Sequence, residues 1–142
     1  MSVEVFTEEW VKQFGQKLNE SEAYRQSAET WEWSLVLKLE ADPSIQLSED
    51  RAVYLDLWHG HCRDARMASL EDLEKASYII SADPYTWKQI FERELDAMTG
   101  IMRGRLKLEK GDMATLAGYA MAAKYLVDCA LEVEAELPEA LR

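Results

Sequence analysis

The spacing of hydrophobic residues changes along this chain, and the order of those changes limits the fold more than any other feature. Large apolar residues recur every four positions from Phe6 to Leu18, which predicts a helix with one apolar stripe that Thr7 can cap. Over residues 31–39 they instead occupy every second position, which is the pattern of a half-buried β-strand. The chain is therefore predicted to begin with a helix and to continue into a sheet.

Three further segments have the pattern or composition of strands. Residues 53–58 alternate between two faces, and residues 76–82 are rich in side chains that favour strands. A weaker strand pattern covers residues 62–68, and a turn at Asp42-Pro43 follows the first strand of the block. Because these strands follow one another directly, the sheet is predicted to be rich in antiparallel pairs.

Helical spacing returns in the second half of the chain. Asp83-Pro84 predicts a helix start, since aspartate caps helices and proline is accepted in their first turn. This helix either runs to about Met102 or divides into two near Glu94. A short strand at residues 105–109 follows, and Lys110-Gly111 is predicted to form a turn.

One long helix is predicted to close the chain. Asp112 can cap it, and it should run to about Glu136 and stop before Pro138. The whole order predicts a single α+β domain over residues 1–142, with a mostly antiparallel sheet and helices on one face.

Composition excludes several classes of function. The 142 residues include 16 Lys or Arg and 27 Asp or Glu, so the net charge is −11. A surface this acidic disfavours nucleic-acid binding and tight electrostatic docking to membranes. No apolar run is long enough to span a bilayer and the N-terminus lacks the pattern of a signal peptide, so stable membrane insertion is not expected and a cytoplasmic location is. Cys62 and Cys129 are then expected to be reduced thiols.

A glycine-punctuated segment gives the most specific signal. Residues 81–91 and then 104–113, which read GRLKLEKGDM, resemble the C-terminal half of a sterol carrier protein type-2 domain. The likeness covers roughly residues 76–125 with some specificity. The family shows a strand, two short helices, a Gly-Lys-Leu-Lys-Ile strand, a glycine turn and a closing helix. The residues that match the last part in order are Gly104, Leu106, Lys107, Leu108, Gly111 and Met113.

The chain also departs from the family pattern. Glu109-Lys110 makes the connection from strand to glycine turn one residue longer than usual, and residues 95–103 lack the usual Gly-Lys turn. The closing helix extends further than in many members. These departures concern the shape of any cavity rather than the fold.

The resemblance implies a five-stranded sheet covered on one face by helices, with an apolar tunnel between the two layers. It also implies non-catalytic binding or transport of a fatty acid, acyl-CoA, sterol or other lipid, without a cofactor. Arg103 or Arg105 is predicted to meet an anionic headgroup. The residues predicted to contact the ligand are Trp33, Leu35, Leu55, Trp87, Ile90, Phe91, Met98, Met102, Leu106, Met113, Leu116, Tyr119, Ala120 and Ala123.

The same residues also fit a simpler interpretation, in which they fill an ordinary core. Gly118 within a predicted helix is explained either by close packing on the sheet or by room left for a ligand. The methionines of the last third suit either a ligand tunnel or a loosely packed core. Large aromatics such as Trp10 and Trp31 are core anchors or tunnel walls.

Two other functions stay open. The fold could have a filled cavity and act as a dimerising or partner-binding module, with Trp58, Tyr125, Leu131 and Val133 at the interface. An enzyme using the thiol of Cys62 is the third hypothesis. However, no catalytic motif is present, so the protein is not expected to be an enzyme.

A metal site is not expected either. The His59-Gly-His61-Cys62 segment offers too few ligands for zinc.

Overall fold

A computed structural model describes residues 3–138 of the chain. Its main element is a five-stranded sheet, and a second, two-stranded sheet joins the two ends of the described region. The α+β architecture with helices over the sheet is as predicted. In chain order the elements are β1 (Val3–Glu4), α1 (Glu8–Glu20), α2 (Glu22–Ser27), β2 (Leu35–Leu39), a 3₁₀ turn (Pro43–Ile45), β3 (Arg51–Trp58), β4 (His61–Met67), α3 (Leu70–Lys75), β5 (Tyr78–Ala82), α4 (Pro84–Phe91), α5 (Ala97–Met102), β6 (Lys107–Lys110), α6 (Met113–Ala117), α7 (Ala120–Glu132) and β7 (Ala135–Glu136).

The five-stranded sheet has the order β4-β3-β2-β5-β6 and is mostly antiparallel, which confirms the prediction. The exception is the central pair, because β2 and β5 run parallel with Leu35 opposite Tyr78. A parallel pair requires a crossover connection, which is formed here by β3, β4 and α3.

One face of the sheet forms the main core with the helices. Alternate residues of β2, β3 and β5 point into it, in agreement with the period of two in the sequence. Helix α1 packs over β4 at Gly15, where an added Cβ would press against the Cβ of Ala65. Thr7 accepts a hydrogen bond from the backbone of Trp10 and caps α1, as predicted.

The opposite face carries a smaller apolar cluster around Val36 and Ile79, against which Leu73 of α3 packs. Helix α3 was not predicted, because its six residues give too short a stretch for helical spacing to be recognised. It is held by a capping box, in which Ser69 and Asp72 bond each other's backbone N–H. Asp72 also forms an ion pair with Arg66.

The first predicted strand is too long at its N-terminal end. Residues 31–34 are not part of β2, which begins at Leu35. Their polar groups are used elsewhere: the backbone N–H of Trp31 donates to Ala28, and its carbonyl accepts from His59. The large side chains at positions 31 and 33 therefore mimic a strand pattern without strand pairing.

The prediction of one long closing helix is wrong, because the structure has two helices in its place. Asp112 caps α6 as predicted, but α6 ends at Ala117, and α7 begins only at Ala120. Helix α7 stops at Glu132, because the following residues form β7, which pairs with β1 in parallel. The segment that begins at Pro84 forms two helices, which is one of the two predicted alternatives.

The turn before α6 requires glycine. Gly111 has φ of 122°, and a Cβ at this position would overlap the ring of Tyr78. The turn predicted at Lys110-Gly111 is thereby confirmed, and it brings the chain from the sheet edge back over the core.

Candidate functional site

An apolar cavity lies between the inner face of the sheet and the helices. About 80 Å³ of it is open to the centre of a water molecule. Its floor includes Leu35, Leu37 and Ile80 of the sheet, and its roof includes residues of α1, α2, α4, α5, α6 and α7. None of the described side chains that line it carries a charge. The cavity can therefore accommodate uncharged, apolar atoms and disfavours an ionised group.

Three of the five polar side chains in the lining are hydrogen-bonded within the protein. The indole N–H of Trp31 donates to the carbonyl of Trp33 at 2.7 Å, and that of Trp87 donates to Lys38 at 2.9 Å. The hydroxyl of Tyr119 lies 2.7 Å from that of Thr30. These contacts fix large rings around the cavity and leave their apolar surfaces facing it.

The aromatic rings of the lining form two groups. Phe6 stacks on Trp10 with ring centres 5.0 Å apart and approaches Trp87 at 5.1 Å. Elsewhere Trp31 lies 4.9 Å from both Tyr78 and Tyr119. Contacts of this kind hold the walls in place, because edge and offset stacking add to the free energy of burial.

Over half of the residues predicted to contact a ligand line this cavity. They come from β2, α4, the residue before β6, the two closing helices and the turn between those helices, which the sequence places far apart. These residues are Leu35, Trp87, Ile90, Phe91, Leu106, Leu116, Tyr119 and Ala123.

The other six predicted contacts lie elsewhere. Leu55 and Met98 are buried in the core outside the lining, and half-buried Trp33 packs beside Trp31. Met102 and Met113 are exposed, because they are the last residue of α5 and the first of α6. The sixth residue, Ala120, is also exposed.

Ala120 lies off the cavity because the break after Gly118 changes which residues of α7 face inward. In the helix that begins at Ala120, the residues that line the cavity include Ala122, Ala123 and Leu126, which lie on one face of the helix. A continuous helix from Asp112 would place Ala120 on that side instead.

The two arginines predicted to meet a headgroup are exposed and outside the lining. Arg103 follows α5, and Arg105 donates to the side-chain oxygen of Gln89 on α4. Gln89 precedes Ile90, which lines the cavity. Arg105 thus lies next to the cavity roof and is paired with a neutral group.

The sequence and the fold match a known family. The sequence corresponds to the SCP-2 sterol transfer family over residues 8–124. The chain belongs to this family. The match confirms the resemblance found in residues 76–125 and extends it to helix α1 and the first strands.

Two solved structures are similar to this protein along nearly the whole chain. A crystal structure of sterol carrier protein 2 is 46% identical with a TM-score of 0.83, covering 92% of this chain and 99% of its own. The solution structure of a conserved hypothetical protein from Thermus thermophilus, described as possibly a sterol carrier protein, is also 46% identical. Its TM-score is 0.84, covering 96% of this chain and 94% of its own.

A more distant likeness concerns the fold alone. Sterol carrier protein 2 from Yarrowia lipolytica, in an apo form, is 18% identical with a TM-score of 0.57, covering 85% of this chain and 88% of its own. No protein with a curated description matches the chain.

The residues that carried the resemblance in the sequence lie in its C-terminal half, so they did not point to several residues of the cavity wall. Phe6, Phe14 and Tyr24 line the cavity from the N-terminal side, and Ala130 lines it from α7. The signal for two of them was present in the apolar stripe from Phe6 to Leu18, which marks the side of α1 that faces the sheet.

A shallower groove adjoins the cavity at one end of α7. It shares Trp10, Phe91 and Ala130 with the cavity and has a volume of about 260 Å³. An ion pair of 2.8 Å between Arg93 and Asp128 links the α4–α5 connection to α7. This end of the SCP-2 cavity is therefore separated from the groove by three shared side chains.

The residues proposed for a partner interface differ in exposure. Val133 is buried, whereas Tyr125 and Leu131 are half-buried. Trp58 is partly exposed but stacks on His59 and lies under the guanidinium of Arg63. Burial of Val133 makes it unavailable to a partner.

The His59-Gly-His61 segment is the tip of the β3–β4 hairpin. His59 and Gly60 have positive φ angles of 50° and 83°, as a tight turn requires. Within residues 3–138, no three His, Cys, Asp or Glu side chains are grouped so that they could hold a metal ion.

Cys62 is expected to react slowly in the folded protein. Burial raises the pKa of its thiol to about 12, so only about one thiol in 10⁵ is ionised at pH 7, and the thiolate is the reactive form. Stopped-flow measurement with a thiol-reactive dye should show slow modification of the native protein and rapid modification after denaturation. Native Cys62 reacting as fast as free cysteine would instead support the thiol-enzyme hypothesis.

Proposed function

We propose that the protein, as a single domain, binds the hydrocarbon part of a lipid in this cavity and carries it without catalysing a reaction. The observation that carries the proposal is a cavity whose described lining has no charged side chain, and in which three of the five polar side chains are hydrogen-bonded within the protein. The similarity to sterol carrier protein 2 supports it.

A flexible acyl chain fits the cavity better than a rigid sterol. About 80 Å³ is below the roughly 150 Å³ of an engineered cavity that admits benzene, so the lining must move to admit a longer molecule. A chain can enter in steps as individual side chains move, whereas a fused ring system needs its whole volume at once. Helices α5 and α6 have six and five residues, and such short helices gain little stability of their own.

An anionic headgroup would stay outside the cavity, because ionised groups are costly to bury without a partner. Arg105 is the residue proposed to meet it, since its guanidinium lies beside Gln89 next to the cavity roof and has no carboxylate partner in residues 3–138. Arg103 is the second candidate, and it forms no ion pair in the same region. Fatty acids and acyl-CoA have this combination of chain and anionic head.

Displacement of a fluorescent fatty acid tests the proposal. Burial of about ten methylenes contributes about 8 kcal/mol, which corresponds to a Kd of about 1 μM. We therefore expect palmitic acid to displace the probe at micromolar concentration, and cholesterol to displace it much less effectively. Hexadecanol, which has the same chain and no charge, serves as the control for the headgroup. Stable, folded protein that binds none of these compounds would contradict the proposed function.

A further inference from the structure

Two of the five polar side chains in the cavity lining form no hydrogen bond within residues 3–138. Trp31, Trp87 and Tyr119 are bonded to the protein, which leaves Trp10 and Tyr24. Trp10 also borders the groove at the end of α7, whereas Tyr24 does not. Buried polar groups are nearly always hydrogen-bonded, so a buried hydroxyl without a partner requires an explanation.

The hydroxyl of Tyr24 borders the cavity. The hydrogen bonds that Tyr24 forms in this part of the chain use its backbone, with N–H donating to Ser21 at 3.0 Å and the carbonyl accepting from Ser27 at 2.9 Å. Unlike Oγ of Ser81, the hydroxyl oxygen is not sealed off by the surrounding packing. Since Tyr24 is only 2% exposed and lines the cavity, the space that its hydroxyl reaches is the cavity.

This hydroxyl is able to donate as well as to accept a hydrogen bond. Burial, with Cys62 and Cys129 adding to the effect, raises the pKa of Tyr24, so the hydroxyl stays protonated at neutral pH. Phenylalanine would bury the same ring without burying a polar atom. The oxygen therefore adds nothing to the packing of the lining and adds one polar group to an otherwise apolar wall.

Water is a poor partner for the Tyr24 hydroxyl. A cavity of about 80 Å³ has room for water, but a buried water is held in place by two to four polar partners. With three of the five polar side chains of the lining already bonded, few such partners are left. A ligand oxygen at this position would displace a weakly held water, which favours binding.

Tyr24 and Arg105 lie at opposite ends of the sheet. Helix α2 rests on the β3–β4 hairpin, because a Cβ added at Gly60 would meet the backbone of Arg25, next to Tyr24. Arg105 precedes β6, and β4 and β6 are the two edge strands. Four strand spacings separate them, about 19 Å in all. A fatty acid whose carboxylate meets Arg105 would thus pass Tyr24 with the distal part of its chain.

We propose that the hydroxyl of Tyr24 hydrogen-bonds an oxygen on the ligand's hydrocarbon chain, so that the cavity selects a hydroxy or keto fatty acid over the unsubstituted acid. The proposal rests on the proposed function and names the class of fatty acid that the cavity takes. Ligand pockets are typically apolar, with a few polar groups that provide specificity, and the position of Tyr24 fits this role. A site that can hydrogen-bond a ligand oxygen discriminates against the analogue that lacks it.

A positional series of hydroxypalmitic acids tests the proposal. Each acid displaces the same fluorescent fatty acid, with palmitic acid as the reference. The best isomer should carry its hydroxyl in the half of the chain farther from the carboxylate and bind wild-type protein about fivefold more tightly than palmitic acid. The isomer with its hydroxyl next to the carboxylate is the ligand control and should bind like palmitic acid. Wild-type protein that binds palmitic acid and prefers no distal isomer overturns the proposal.

Tyr24→Phe removes the oxygen and keeps the ring. The ratio of the two Kd values, for palmitic acid over the best hydroxy acid, should fall at least tenfold in this variant, because the ligand hydroxyl is then buried without a partner. Tyr119→Phe is the matched control, since its hydroxyl already bonds to Thr30 and its removal should leave the ratio unchanged. An unchanged ratio in folded Tyr24→Phe, or an equal fall in Tyr119→Phe, contradicts the assignment.

Infrared spectroscopy of a bound keto acid detects the hydrogen bond directly. The carbonyl band of a palmitic acid with a keto group at the preferred position should shift to lower frequency in wild-type protein and return in Tyr24→Phe. A role of Tyr24 in packing alone would not move this band. The same frequency in both proteins would overturn the proposal.

The same titrations separate this proposal from the function on which it rests. Wild-type protein that binds palmitic acid and all hydroxy isomers equally loses the selectivity of Tyr24 and keeps the proposed function. Folded protein that binds neither palmitic acid nor any hydroxy isomer contradicts both. Tight binding of a distal hydroxy acid, with weak binding of palmitic acid, supports both and identifies the oxygenated chain as the ligand.

Discussion

Replacement of Trp10 by alanine is expected to lower the free energy of unfolding by about 3–5 kcal/mol, the largest effect of any single substitution considered. The indole is 1% exposed and packs against Phe6, Phe14 and Phe91, with ring centres 5.0, 5.2 and 6.2 Å away. Its removal leaves a hole that these rings cannot close, because they are held by their own neighbours. Urea unfolding followed by far-UV circular dichroism measures the change.

Trp58→Ala is the matched control for this substitution, since it removes the same side chain from a partly exposed position on β3. Trp58 contacts mainly His59 and Arg63, so its loss should cost about 1 kcal/mol or less. Similar losses of stability in the two variants would contradict the description of Trp10 as a central packing residue.

Replacement of Ala122 by phenylalanine is expected to weaken fatty-acid binding about 60-fold. Ala122 is buried in α7 and lines the cavity, and a ring at this position occupies much of its volume of about 80 Å³. Exclusion of about three methylenes costs about 2.4 kcal/mol at 0.8 kcal/mol each. Displacement titration measures the change in Kd, and thermal unfolding shows whether the larger side chain disturbs folding.

Ala117→Phe controls for the added ring. Ala117 lies at the end of α6 and is exposed outside the cavity lining, so its substitution should leave the Kd for fatty acid within about twofold of wild type. Unchanged fatty-acid binding by a folded Ala122→Phe protein would show that the ligand lies elsewhere.

Much of the fold could be predicted because local patterns and tertiary structure agree. The stripe from Phe6 to Leu18, the cap at Thr7 and the alternation in β3 each give the right element and the right buried face. The short segment around Gly111 was informative for a different reason. Its glycine is needed for backbone geometry, so the motif that includes it marks the fold rather than a ligand contact.

The errors arise where several tertiary interactions override a local pattern. Residues 31–34 alternate like a strand, but the backbone of Trp31 bonds to Ala28 and His59, and only the carbonyl of Ser34 accepts a hydrogen bond from a strand, at Tyr78 of β5. The break between α6 and α7 reflects a turn at Gly118, and helical spacing alone cannot distinguish such a turn from a continuous helix. Because of that break, Ala120 faces solvent while Ala123 lines the cavity.

The exposed methionines could not be assigned from the sequence for a similar reason. Met102 and Met113 lie beside the family motif, and an apolar residue next to a predicted cavity is expected to face it. Their orientation depends on where α5 ends and α6 begins, which periodicity fixes only to within a few residues. The exposure of Met102 and Met113 was therefore visible only in the structure.

The parallel pairing of β2 with β5 has a consequence for how the chain folds. Strands β2, β3 and β4 can form by local pairing, but the partner of Leu35 is Tyr78, so the sheet is completed only when a distant segment arrives. Until then the free edge of β2 presents Leu35, Val36 and Leu37 to other chains. We expect docking of β5 to limit the folding rate, and losses to aggregation during refolding to rise with protein concentration.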